Sequence, residues 1–338
     1  MNFNVYGYQV EVRSSQAPAL ESLASDFAYF RVEEVKTPVL VELHDQDPPY
    51  ESAPAGPATV YTPRNVSVRD GQCTYVDYSG RGLAIHDLRT GNCRIYSRDP
   101  ELLYEAAYLF LLSQMAEFLD RRRLHRIHAL AISMAGRAAL VLLPMGGGKS
   151  VLGAELLRYP EVKLLSDDAP LVDREGRLHC FPLRLGLLPG SEGQIPPQAL
   201  RRINRMEFGP KILVDYTYFA DRVCPQADPG VVFLGHRSFS RNCEILPVGL
   251  GAATRAMITN CVVGLGLFQG MEFVLHRSLG ELAGKAGVAW SRFRNSLRLV
   301  RRSRNYHLIL GRDIEENGRV VMQFLRGMAS GKLRPPER

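Results

Sequence analysis

The run Pro144-Met145-Gly146-Gly147-Gly148-Lys149-Ser150 constrains this chain more than any other stretch. Ahead of it, Ala138 to Leu143 is a continuous apolar run of strand length, and behind it Ser150 to Arg158 has helical spacing. A strand that turns through glycines straight into a helix gathers backbone N–H groups at the turn, because no Cβ blocks the approach. The helix N-terminus adds positive partial charge. Such a turn suits an anion. The plainer alternative is a glycine turn with no ligand.

Length and composition leave room for this unit and more. With 338 residues, 46% of them apolar, the chain is expected to form two domains or one with an appendage, and 23% charged residues without low-complexity segments exclude a disordered chain. Leu102 to Leu112 is the best membrane candidate, but Glu105 interrupts it and it is shorter than the ~20 residues a bilayer requires, so a buried helix is expected. Met1 to Val10 carries no cationic stretch followed by an apolar run, which points to the cytoplasm. Cys73, Cys93, Cys180, Cys224, Cys243 and Cys261 lie far apart, without zinc spacing, and read as reduced thiols. Much of the net charge of +7 is local, at Arg121 to Arg123 and in the arginines from Arg292 to Arg304. Those arginines are either a solvated helix face or a surface for an anionic partner.

Residues 1–98 read as a β-rich accessory region, with strands at Tyr6 to Val12 and Val39 to Leu43 and a helical stretch at Ala19 to Phe30. A proline-rich loop spans Asp47 to Pro63. Hairpin punctuation follows at Asp70-Gly71, Ser79-Gly80 and Gly91-Asn92. Residues 99–338 read as a second domain that opens with a helix from Pro100 to about Arg122. Ile127 to Ser133 and Ala138 to Leu143 are expected as strands joined by a tight turn. Further expectations are a strand at Val162 to Leu165, a helix from Leu279 to about Arg302, a strand at Tyr306 to Leu310 and a last helix near Arg319 to Leu325.

The strand–turn–helix context makes the glycine run a candidate P-loop. In that reading Gly146, Gly147 and Gly148 cradle the phosphates of ATP, Lys149 neutralises the β- and γ-phosphates, and the Ser150 hydroxyl ligates Mg²⁺. Leu143 stands where the usual pattern opens with glycine. Ser166-Asp167-Asp168 then closes a strand 18 residues after Lys149 (to Asp167), close enough for the chain to return beside the loop. One carboxylate can hold a metal while the other takes a hydroxyl proton; an acidic turn that merely caps the next segment is the bland alternative. His128 lies upstream on the strand expected next to the loop strand, with His125 three residues earlier. It either tunes this site or is a satisfied core histidine.

Taken in order, these pieces resemble the HPr kinase/phosphorylase family, and more closely its divergent HPr-kinase-like serine kinases of peptide-modification gene clusters. The likeness runs from about His128 to Asp173 and weakly through Phe181 to Leu185, and Pro-Glu-Leu-Leu-Tyr-Glu from Pro100 is similar to the N-terminal part of the peptide-cluster members. It implies an α/β fold: a P-loop nucleotide domain of the HPr kinase/phosphoenolpyruvate carboxykinase type, with a smaller β-rich N-terminal region for substrate recognition. It also implies a kinase that uses ATP and Mg²⁺. Lys149 would hold phosphate, Ser150 and Asp168 the metal, Asp167 would be the general base, and His128 would lie beside it; spacing does not decide which aspartate does which. Val151 replaces the acidic residue that follows Lys-Ser in HPr kinase, and an Ile-Arg-Gly-Leu-Gly signature has no clear equivalent, so HPr is not the expected acceptor.

The acceptor expected is a Ser of a protein or peptide. A small-molecule hydroxyl is the nearest variant, and a non-catalytic ATP-gated binding module is the alternative from another class. Arg184 and Lys211 are further candidates for phosphate or acceptor binding, either of which can instead be a surface residue. No membrane partner is expected. Nucleic acid is disfavoured, because no helix-turn-helix, zinc finger or aromatic stacking platform accompanies the arginines. Assembly into a homo-oligomer is left open.

Overall fold

A computed structural model of the chain describes residues 1–15, 17–58, 60–193, 195–206, 209–262 and 279–331. The fold is mixed α/β with several sheets and divides into two units. The first comprises Met1–Leu119 with Arg201–Ile212; the second comprises Asp120–Leu200 and the described residues after Ile212.

In the first unit the chain forms β1 (Asn2–Val5), β2 (Tyr8–Ser14), α1 (Ala17–Asp26), β3 (Arg31–Val32), β4 (Val39–His44), β5 (Val60–Tyr61), β6 (Val66–Asp70), β7 (Cys73–Asp77), β8 (Leu83–Asp87), β9 (Cys93–Tyr96) and α2 (Pro100–Arg121). The strands make one sheet in the order β3-β1-β2-β4-β9-β8-β7-β6-β5. The turns expected from Asp70-Gly71, Ser79-Gly80 and Gly91-Asn92 join β6 to β9 as an antiparallel meander. Alternation buries Tyr8, Val10 and Val12 on one face of β2. The helix α2 lies against this unit through ring contacts of Tyr108 with Phe27, Phe110 with His86 and Phe118 with Tyr8. With those contacts the unit runs from Met1 to Leu119. Among the described helices α2 alone is long and apolar enough to cross a membrane, and most of it is buried within the fold.

The second unit contains β10 (His125–Arg126), β11 (Leu130–Met134), β12 (Arg137–Leu142), α3 (Lys149–Leu156), β13 (Lys163–Ser166), β14 (Leu171–Val172), β15 (Leu178–His179) and β16 (Leu185–Leu187). Next come β17 (Leu200–Arg205) and β18 (Gly209–Val214), most of whose residues group with the first unit. The chain continues with β19 (Gln226–Arg237), β20 (Glu244–Pro247), α4 (Leu250–Met257), α5 (Leu279–Arg302), β21 (Arg304–Leu310) and α6 (Ile314–Ala329). The sheet order is β10-β14-β15-β19-β12-β11-β13, with β21 on β19 and β20 on β21. Its centre is the parallel set β12, β19 and β21, and the near-continuous buried apolar runs of β12 and β19 suit strands covered on both faces. Phe324 of α6 packs on Phe233 and Tyr306. The expected tight turn joins β11 to β12 at Ala135 and Gly136, both at positive φ (50° and 75°), as a two-residue hairpin requires. The glycine run leaves the carboxyl end of β12, the edge at which parallel sheets offer their ligand crevices.

Candidate functional site

Positive φ at Gly146 (75°) and Gly148 (94°) carries the chain from β12 into α3. At Gly147 a Cβ would sit 2.9 Å from Pro144 O, so the backbone itself closes the turn and Gly147 N–H donates to that carbonyl at 3.0 Å. Leu143, at the position where glycine is usual, places its side chain over Gly235 of β19. A Cβ on Gly235 would come within 2.6 Å of Leu143 Cδ2.

Lys149 opens α3 and is only 7% exposed. Its Nζ donates to Leu143 O at 2.8 Å and lies 2.9 Å from His128 Nε2. Burial pushes the Lys149 pKa below the ordinary lysine value, against the opposing pull of Asp168 and Asp167. An ammonium facing Nε2 makes that nitrogen the acceptor, which leaves the ring proton on Nδ1, 3.1 Å from Asp168 Oδ1. That contact is close without being an aligned hydrogen bond. Ser150 donates through Oγ to Asp167 Oδ2 at 2.7 Å, and Gly186 N–H reaches the same oxygen at 3.3 Å.

Sheet register explains how the two aspartates part. Ala131 pairs with Ser166 where β11 meets β13, with a register shift between Ala131 and Ile132, and Ala129 N–H donates to Asp168 O. This brings Asp168 beside His128, which occupies a bend just ahead of β11 rather than the strand expected for it. Ser166 fixes the turn: its Oγ donates to Phe181 O at 2.8 Å and accepts from Ala169 N–H at 3.0 Å. Asp167 is left buried toward α3 at 5% exposure, while the Asp168 side chain is 53% exposed. The backbone N–H of His128 donates to Asn260 O, in a π-helical turn at Ile258–Val262.

Gly146 to Gly148, Lys149, Ser150, Asp167, Asp168 and His128 therefore meet in one place. Arg184 is half-buried two residues before Gly186, on the segment that touches Asp167. Lys211 belongs to the first unit. Along α5, Arg292 pairs with Asp120 at 2.6 Å and is largely buried, whereas Arg298, Arg301 and Arg302 are exposed, with Arg298 donating to Arg174 O and Arg302 to Glu175 O. None of the six cysteines is in a disulfide, and among the described residues no group of three or more His, Cys, Asp or Glu side chains is arranged to hold a metal. The hard oxygen donors at the site, Ser150 Oγ and Asp167 Oδ2, fit a Mg²⁺ ion, which keeps several waters and takes few protein ligands.

Sequence reasoning missed Gly235 and Arg237. Arg237 Nη1 lies 3.2 Å from where a Cβ on Gly148 would be. A Gly two residues before an Arg at the end of an apolar run was visible, but which strand it would flank was not.

Models of known protein families do not match the chain, and no curated protein gives a significant match.

Proposed function

We propose that this protein is an HPr-kinase-like serine kinase that transfers the γ-phosphoryl group of ATP to the hydroxyl of a Ser in a protein or peptide. One observation carries the reading: at a glycine turn between strand and helix, Ser150 engages Asp167, while His128 stands between Lys149 on one ring nitrogen and Asp168 on the other. A plain glycine turn gives no reason to gather two carboxylates, an ammonium and an imidazole beside it.

In this reading the turn amides and Lys149 hold the phosphates, and the buried ammonium acts in a medium of low dielectric where its charge counts for more. Ser150 and Asp167 are the residues to hold Mg²⁺, which neutralises charge on the phosphates when bound. Asp168 is the base. It is half-exposed, so an acceptor hydroxyl can reach it, whereas Asp167 is buried against Ser150. This reverses the roles first expected for the two aspartates. The acceptor oxygen bonds to the γ-phosphorus, the bond from that phosphorus to the β–γ bridging oxygen breaks, and the hydroxyl proton passes to the Asp168 carboxylate. His128 orients that carboxylate through Nδ1, and Lys149 holds His128 in the required tautomer.

The test is transfer from γ-³²P-labelled ATP to a library of Ser-containing peptides, comparing the wild type with Asp168→Asn and Asp167→Asn. The reading expects label on peptide, a loss of rate at nearly unchanged ATP affinity for Asp168→Asn, and a loss of Mg²⁺-dependent affinity for Asp167→Asn. Tight ATP binding with no transfer to peptides or to small hydroxyl compounds would turn the reading to an ATP-gated binding module.

A further inference from the structure

The reading above leaves one contact at the glycine turn unused. In the parallel register of β12 and β19, Leu142 lies opposite Leu234, so the chain leaving β12 passes the last residues of β19. Gly235 provides the space: a Cβ there would lie 2.9 Å from Leu142 O and would collide with the Leu143 side chain that occupies its place. Arg237 stands two positions further along the strand and projects from the same face as Gly235. Its guanidinium ends over the turn, with Nη1 3.2 Å from the point a Cβ on Gly148 would take, and Gly148 itself has φ +94°.

The company this guanidinium keeps is telling. Arg292 is paired with Asp120, Arg222 is bonded to the carbonyls of Tyr159 and Val162, and Arg298 and Arg302 donate to carbonyls of residues 174 and 175. Arg237 is exposed, and among the described residues neither an ion pair nor a hydrogen bond takes up its side chain. A cation brought to the mouth of a glycine turn where a helix begins, with no ion-pair partner among the described residues, is placed for an anion from solution.

Resting on the nucleotide reading above, we propose that Arg237 binds the terminal phosphate of the nucleoside triphosphate, supplying from the neighbouring strand of the same chain the planar two-pronged donor that Lys149, held on the loop carbonyls, does not. The residue touches the group being transferred. It therefore separates triphosphate from diphosphate and does not merely raise affinity for any nucleotide. Gly235 belongs to the same device, because it lets the loop lean on β19 within the reach of Arg237.

The experiment is a titration of wild type, Arg237→Ala and Arg237→Lys with ATP and with ADP, each with Mg²⁺, alongside a thermal melt. The expected result is a loss of at least about tenfold in ATP affinity for Arg237→Ala, with ADP affinity changed less than about twofold. Arg237→Lys should recover only part of the loss, since an ammonium keeps the charge but not the fork. An exposed side chain without partners predicts unchanged melting for both variants. If Arg237→Ala binds both nucleotides as the wild type does, or loses both equally, the proposal is overturned while the nucleotide reading stands. If the wild type itself binds neither ATP nor ADP, the nucleotide reading falls and takes this proposal with it.

Discussion

Asp120, His125 and Arg292 form one acid–imidazole–cation cluster in the second unit, and Asp168, His128 and Lys149 form another. In the first, Asp120 receives His125 Nδ1 at 2.8 Å and Arg292 Nη2 at 2.6 Å, and the other His125 nitrogen meets Ser291 Oγ at 2.8 Å. His125 is fully buried and Asp120 nearly so. The Ser291–His125–Asp120 order imitates a nucleophile, base and orienting acid, but Arg292 already neutralises the carboxylate and Ser291 is buried mid-helix on α5. In the second cluster Asp168 is half-exposed, His128 Nδ1 approaches it without a full hydrogen bond, and the ammonium of Lys149 rests on loop carbonyls. The same residue types thus serve two ends. In the first cluster the charges close on one another inside the second unit, whereas the second cluster, in the proposed reading, meets a ligand.

Substitutions in the two clusters should separate these roles, and the largest effect is expected in the second. Asp168→Asn should lower phosphoryl transfer about 10³-fold, within the range for a lost general base, with ATP affinity and melting temperature close to wild type. An unfolded Asp168→Asn protein would erase the distinction between the clusters. Asp120→Ala should behave in the opposite way. It leaves Arg292 buried without its carboxylate, so denaturant titration should show a loss of about 3 kcal/mol, while activity per folded molecule is retained.

Gly235→Ala sharpens the same contrast at the loop, since its Cβ has no room beside Leu143. Overpacking should cost about 1–3 kcal/mol and should weaken ATP binding through displacement of the turn, read by titration calorimetry. The smallest effect is a pH dependence. Burial raises the Asp120 pKa, but hydrogen bonds from His125 and Arg292 outweigh it and hold the carboxyl below the usual aspartate value. The stability contributed by this shift is fully present above the unfolded aspartate pKa of about 3.9 and is lost as pH falls through the lower folded value. Acid unfolding of the wild type should therefore steepen below about pH 4, and Asp120→Asn should flatten it.

What the sequence disclosed was what neighbours in the chain determine. The glycine turn, its flanking strand and helix, the Ser-Asp-Asp strand end and the hairpins of the first unit all follow from local periodicity and turn chemistry. The difference in exposure between Asp167 and Asp168 was hidden, because it depends on the register shift at Ala131 and on the hold of Ser166 on Phe181 O. Arg237 and Gly235 were hidden because their partner strand lies some ninety residues earlier. Arg292 read as part of a solvated face, yet its partner Asp120 is 172 residues away. The burial of Lys149 was hidden too, since it depends on His128 and on the carbonyl of Leu143 closing around its ammonium.

The central claim is that the turn at Gly146 to Ser150 holds the phosphates of a nucleotide, and titration calorimetry of ATP into the wild type and Lys149→Ala, with Mg²⁺ and then with excess EDTA, tests it most directly. The account predicts saturable binding by the wild type that weakens markedly in EDTA and is lost in a folded Lys149→Ala protein. Absence of heat from the wild type at millimolar ATP, or equal binding by the two proteins, would contradict it.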